Sequence, residues 1–136
     1  MNATQTLSHT ESHFAAGIIY QDGEDGREYL VIEYNSGDGI QIKFPGGTNN
    51  DQPGEEMLIT LRREVEEETG LVPMSFQLVY EQDSRGHLKH FYLIPFDKCK
   101  GTLRTITKTD NGDKLDPPFW RTAEELMIDP KAGGVF

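Results

Sequence analysis

The chain has 136 residues, 35% hydrophobic, 26% charged and 10% aromatic, which fits one globular domain over 1–136 and leaves too little material for a second core. Cys99 is the only cysteine, so an internal disulfide and any multi-cysteine zinc site are excluded, and a reducing, cytoplasmic compartment is expected. Thirteen Lys and Arg against 23 Asp and Glu give a formal charge of -10, a balance that repels a polyphosphate backbone and argues against a nucleic-acid polymer as partner.

Met1 to His13 carries neither a basic cluster nor an apolar run, so it reads as a loosely ordered tail with no signal peptide or membrane anchor. Phe14 to Tyr20 and Tyr29 to Tyr34 are β-branched and aromatic runs separated by the turn-forming Asp22-Gly-Glu-Asp-Gly26, which predicts a hairpin. Both runs are nearly continuously apolar, as in a sheet covered on both faces. A turn at Ser36 to Gly39 leads to a third strand, Ile40 to Phe44, which enters Pro45-Gly46-Gly47 and then a long polar loop to Gly54. From Glu56 to Thr69 there is no Gly or Pro, and Gly70 stands where a left-handed cap stops a helix. Leu58, Leu61 and Val65 form one apolar stripe on that helix. Strands follow at Phe76 to Glu81, Leu88 to Phe96 and Thr102 to Thr107, with Thr109 to Pro118 as a polar loop. Thr122-Ala-Glu-Glu125 has the capping-box pattern of a second helix that Pro130 ends.

The acidity is uneven. Asp51, Glu55, Glu56, Glu64, Glu66, Glu67 and Glu68 face only Arg62 and Arg63 in that stretch, which holds half of the net charge. Glu64, Glu67 and Glu68 lie at i, i+3 and i+4, so they share about a 100° arc of the helix, where like charges repel. A hard divalent cation such as Mg²⁺ or Mn²⁺ reverses that sign, because it takes several oxygen ligands and can bridge carboxylates to a phosphate. Arg63, four residues before Glu67, is placed to hold it by an ion pair.

Gly46-Gly47, Glu55 and the run Arg63-Glu64-Val65-Glu66-Glu67-Glu68-Thr69-Gly70-Leu71 together resemble the Nudix box, G-x5-E-x7-R-E-u-x-E-E-x-G-u with u aliphatic. Every element from Glu55 onward matches. Phe44-Pro45-Gly46-Gly47 is similar to the family's entry to the box, and Trp120 with Glu124-Glu125-Leu126 to its closing segment. The departure is at position 49, where the pattern wants Gly and the chain has Asn49; a two-residue insertion within Thr48 to Pro53 is the simplest account, with direct replacement by Asn as the alternative.

The resemblance implies an α/β/α sandwich with a mixed β-sheet and a loop-helix-loop motif, hydrolysing a diphosphate linked to another moiety, typically a nucleoside. It implies metal binding by Glu64, Glu67 and Glu68, with Glu55 and the Gly46 carbonyl as further ligands and Arg63 as an orienting group. The base differs among members; the late-loop acids here are Asp110, Asp113 and Asp116, of which Asp113 and Asp116 are carried as candidates. His87 and His90 read as solvated, Trp120 as packing, and Phe91 and Tyr92 as pointing to opposite faces of a strand. The substrate stays open among a nucleoside triphosphate, a nucleotide sugar and a smaller diphosphate. A homodimer stays open as well, and no membrane partner is expected. The competing expectation is a nucleotide sensor that has kept the fold and lost catalysis.

Overall fold

The computed structural model describes residues 10–135 except 111. Two long strands start the fold, β1 (His13–Gly23) and β2 (Gly26–Asn35), joined by the expected tight hairpin with Gly23 opposite Gly26. β3 (Ile40–Lys43) pairs with β2, and β4 (Gly46–Thr48) turns back onto β1, placing Gly46 opposite Ala16 and Thr48 opposite Phe14. Helix α1 (Met57–Thr69) follows, then β5 (Leu71–Pro73), β6 (Gln77–Ser84) and β7 (His87–Pro95). β8 (Cys99–Gly101) pairs with β5 as a separate two-stranded sheet. β9 (Lys108–Asp110), β10 (Asp113–Leu115), β11 (Phe119–Thr122) and helix α2 (Ala123–Ile128) end the order, with a 3₁₀ turn over Pro130–Val135.

The large sheet runs β6-β7-β1-β2-β10-β9, with β11 and β3 on β2 and β4 on β1. It is mixed, because β1 and β7 run parallel while their other neighbours are antiparallel. One core lies between the sheet and α1: Ala15, Ile19, Leu30, Met57, Leu61, Val65, Leu71, Leu88, Tyr92 and Ile94. A second, of Val31, Ile42, Leu126 and Ala132, packs α2 and the last 3₁₀ turn near β3 on other elements of the sheet. This is the expected α/β sandwich. On α1 the stripe is buried as the spacing requires, with Leu61 and Val65 at zero exposure and Leu58 packed against them, each such side chain contributing about 1.5–3 kcal/mol. Gly70 ends the helix in the left-handed conformation (φ 86°), its N–H on the Glu66 carbonyl. Thr122 and Glu125 form both halves of the expected capping box.

Four expectations are corrected. Thr102 to Thr107 is not a strand; between β8 and β9 the segment is irregular, held by Arg104 rather than by a ladder. Thr109 to Pro118 is not a plain loop, since it contains the β9–β10 hairpin, in which Asp113 stands opposite Asp110. The reading of Met1 to His13 as a tail fails at its end: His13 opens β1 and is fully buried, while 1–9 lie outside the described residues. Asn49 is also buried, although the segment after β4 reads as a surface loop. Its side-chain oxygen accepts from the His13 N–H at 3.0 Å, and its amide donates to the carbonyls of Thr10, Glu11 and Glu55 at 3.2, 3.0 and 3.4 Å.

Replacing Asn49 strips partners from the buried His13 N–H and from three part-buried carbonyls at once. Asn49→Ala should cost roughly 2–4 kcal/mol, against less than about 0.5 kcal/mol for the exposed Asn50→Ala, in urea melts of the two variants.

Candidate functional site

The site begins where β4 meets α1. At Gly47 a Cβ would collide with the Glu64 carboxylate, so glycine here leaves that carboxylate in its place under Arg63, and any side chain would displace it. From that side of α1 come Arg63, Glu64, Glu67 and Glu68.

Arg63 is the centre of the charge pattern. Its Nε and Nη2 grip Glu55 in a two-point pair at 2.8 and 2.9 Å, Nη1 donates to Glu64 at 2.8 Å and to Glu67 at 3.3 Å, and Nη2 also donates to the Thr48 carbonyl at 3.1 Å. The expected Arg63–Glu67 pair is thus present, and two further carboxylates share the same fork. The guanidinium holds Glu55 below the ordinary carboxylate range, with the Thr60 hydroxyl assisting at 2.6 Å.

Glu64 and Glu68 behave in the opposite way. Burial raises the pKa of Glu64, against the pull of Arg63, and the charges of Glu67 and Asp110 push it further. Glu68 is pushed up to about 8, first by burial, then by Glu64 and Asp110, although the Gly46 N–H donates to it at 2.8 Å. Gly46 thus turns its amide toward this carboxylate.

The late hairpin supplies the remaining acid. Asp113 accepts from the Tyr34 hydroxyl at 2.7 Å, a bond that with burial pushes Tyr34 up to about 12, and Asp116 accepts from Thr107 at 3.2 Å. Asp110, rather than either of them, lines a cavity with Glu64 and Glu68. The hairpin is tied to the end of α1 by two cations that the sequence reading missed. Arg104 donates to the Glu68 carbonyl at 2.9 Å and to the Leu115 and Asp116 carbonyls at 3.0 and 2.9 Å, and Lys108 reaches the Glu67 carbonyl at 2.8 Å. Both meet carbonyls of the helix's last turns, where positive charge is favourable.

The cavity is about 470 Å³ and places Phe14, Phe91, Tyr34, Lys43 and Lys89 around those acids. Phe91 and Tyr92 do face opposite ways: Phe91 lines the cavity, whereas Tyr92 is in the core. His90 is not solvated; it is fully buried between the Tyr92 hydroxyl and Glu81, both at 2.7 Å. His87 bonds Ser12 at 2.8 Å, and Trp120 packs edge-on against Phe96.

A family model described as the NUDIX domain matches residues 11–135. The chain belongs to the Nudix family. It is similar to a MutT structure described for Aliivibrio salmonicida and Vibrio cholerae, at 24% identity and a TM-score of 0.64, covering 92% of this chain and 93% of that one. A MutT Nudix hydrolase from Burkholderia pseudomallei aligns at 19% identity and 0.61, covering 90% and 88%. The Nudix domain of Shewanella oneidensis NrtR, solved with ADP-ribose, aligns at 16% and 0.61, covering 97% and 90%. At these identities the likeness concerns the fold. No curated protein matches the sequence. Among the described residues no helix is long and apolar enough to cross a membrane.

Nudix hydrolases generally use divalent cations, so the donor set of this Nudix domain can be tested for fit. No three His, Cys, Asp or Glu side chains among the described residues converge as ligands, because Arg63 engages Glu64 and Glu67 and the Gly46 N–H engages Glu68. The chemistry of the set nevertheless suits a hard cation. It is all oxygen, and Glu64 raises the cost of ionising Glu68 while Asp110 raises that of both, beside an open cavity.

The raised pKa of Glu68 fixes the sign of a pH effect in metal-free protein. Its contribution to stability is complete below the unfolded value near 4.5 and is lost as pH rises through about 8. Unfolding in EDTA should therefore show stability falling by roughly 3 kcal/mol from pH 5 to 8. Glu68→Gln should lose most of that slope, and equal slopes in the two proteins would contradict the assignment.

Proposed function

We propose that this Nudix domain is a Mg²⁺- or Mn²⁺-dependent hydrolase of the cytoplasm that cleaves the diphosphate linkage of a nucleoside diphosphate derivative, such as a nucleoside triphosphate or a nucleotide sugar, by attack of water on phosphorus. The observation that carries the reading is the shared cavity. Glu64, Glu68 and Asp110 line it together with Phe14, Phe91, Lys43 and Lys89, so acids, aromatic faces and cations border one space of small-molecule size.

Glu64, Glu67 and Glu68 would hold the cation, with Glu55 and the Gly46 carbonyl as supporting groups. The bound cation would neutralise phosphate charge and lower the pKa of the attacking water. Arg63 keeps Glu64 and Glu67 on one side of α1 and fixes Glu55 at the helix entrance. Asp110 is the acid we assign to take the proton from water, in preference to Asp113 and Asp116, whose oxygens already accept from Tyr34 and Thr107. Phe14 and Phe91, with ring centres 5.8 Å apart, offer an apolar wall for an organic moiety, and Lys43 and Lys89 offer charge for its anionic part.

The test is hydrolysis of a panel of nucleoside triphosphates, nucleotide sugars and ADP-ribose with each cation, in ¹⁸O-water to locate the attacked atom. Glu67→Gln and Glu68→Gln should each lower kcat by roughly 100-fold or more with the fold intact, and Asp110→Asn should do so while Asp113→Asn costs less than about 10-fold. Saturable nucleotide binding without turnover would replace this reading by the sensor.

Cation binding should also be visible without substrate. At about one hundred times Kd it should add about 2.7 kcal/mol, or roughly 5–15 °C in Tm, whereas monovalent salt at matched ionic strength should do much less.

A further inference from the structure

The box residues do not explain what stands behind Glu55. Thr60, one turn into α1, is fully buried, and its hydroxyl oxygen lies 2.6 Å from Glu55 Oε1 and 2.6 Å from His13 Nε2. Glu55 is paired through both oxygens with Arg63, so it is ionised and can only accept. The single hydroxyl hydrogen of Thr60 therefore points to Glu55, and its oxygen takes the N–H of His13. His13 is fixed in turn: Nδ1–H donates to the Glu11 carbonyl at 2.8 Å, so both ring nitrogens carry a hydrogen and the ring is a cation near the ionised Glu55, and the main-chain N–H donates to Asn49 at 3.0 Å.

The result is a continuous strut of short hydrogen bonds. It runs from His13, the first residue of β1, through Thr60 to Glu55, and through the two-point pair to Arg63, whose Nη1 holds Glu64 and Glu67. A flexible glutamate beside a solvent-facing helix end samples several rotamers; a second bond from a buried hydroxyl selects the one that meets the guanidinium fork squarely.

We propose that His13 and Thr60 are positioning residues, which brace Glu55 and through it Arg63 so that Glu64 is presented to the cavity and Glu67 is held beside it in one arrangement. This rests on the hydrolase reading for its catalytic consequence but not for its geometry. Neither residue touches the cavity, so the effect of losing them should fall on metal affinity and kcat rather than on KM.

Thr60→Val keeps the shape and removes the hydroxyl, and Thr60→Ser keeps the hydroxyl. In the full chain without metal, the Arg63 Nε–H is read by NMR hydrogen exchange; Mn²⁺ affinity is read by electron paramagnetic resonance; and kcat and KM are read on the best substrate of the panel. Thr60→Val should exchange the Arg63 Nε–H at least about 10-fold faster, weaken Mn²⁺ binding by roughly 10-fold and lower kcat similarly with KM within about 3-fold, while Thr60→Ser stays near wild type in all of them. His13→Leu, which leaves the Thr60–Glu55 bond in place, should move the same quantities in the same direction by less, and it carries the test alone if Thr60→Val fails to fold. Wild-type exchange and Mn²⁺ affinity in a folded Thr60→Val, or in His13→Leu where that variant stands alone, would overturn the proposal, as would a Thr60→Ser no better than Thr60→Val. If wild type neither binds Mn²⁺ nor hydrolyses any substrate, the hydrolase reading falls, and the exchange rates still decide whether the strut exists.

Discussion

The site depends on one guanidinium placed among carboxylates that would otherwise repel each other. Arg63 satisfies Glu55, Glu64, Glu67 and the Thr48 carbonyl at once, which its planar, forked donor set allows and a lysine's point charge would not. Because the Arg63 and Glu55 side chains are only 24% and 11% exposed, the pair is poorly screened, and removing one partner would strand the other at a cost of about 3 kcal/mol or more. The fork compensates fewer carboxylates than the motif contains. Glu68 lies outside its reach, leans on a single main-chain N–H, and is held back from ionising until about pH 8 beside the cavity.

That division explains how the surrounding elements are shaped. β4 carries two glycines for two reasons: a Cβ at Gly46 would meet the β1 main chain at Ala15 and Ala16, and one at Gly47 would meet the Glu64 carboxylate of the helix. The irregular stretch after β8 gives up regular pairing so that the Arg104 side chain can bond four carbonyls, those of Glu68, Ile106, Leu115 and Asp116, which fixes the β9–β10 hairpin against the end of α1. Asp110 reaches the cavity because of that attachment, while its neighbour Asp113 is turned to Tyr34.

The parts of the molecule with a local signature were legible in the sequence. The helix over Met57–Thr69, its left-handed end at Gly70, the β1–β2 hairpin and the capping box at Thr122 each follow from residues within a few positions of one another. The carboxylate face was legible for the same reason, as spacing on one helix. What escaped depends on partners far apart in the chain. Asn49 looks like any polar loop residue until Thr10, Glu11 and His13 come back beside it, and His90 looks solvated until Glu81 and Tyr92 enclose it. Asp110, Asp113 and Asp116 are equivalent by composition; only the register of a hairpin too short to show period-two patterning separates them. Arg104 and Lys108 carry no signal at all, because their acceptors are carbonyls, which every residue has.

The parallel pairing of β1 with β7 has a consequence for how the chain reaches this arrangement. β1 finds β2 at once across a tight turn, but its other neighbour lies some 75 residues further on, the separation between Ser12 and its partner His87. Contacts of that range must be reached by closing a long loop before they return any energy, so the assembly of the sheet's centre is slow compared with the formation of α1. Until β7 arrives, the open edge of β1 exposes the strand that runs from His13 through Ala15 and Ala16 to Ile19, all of them fully buried in the finished sheet. During synthesis this stretch is the part of the molecule most in need of protection from pairing with a neighbouring chain.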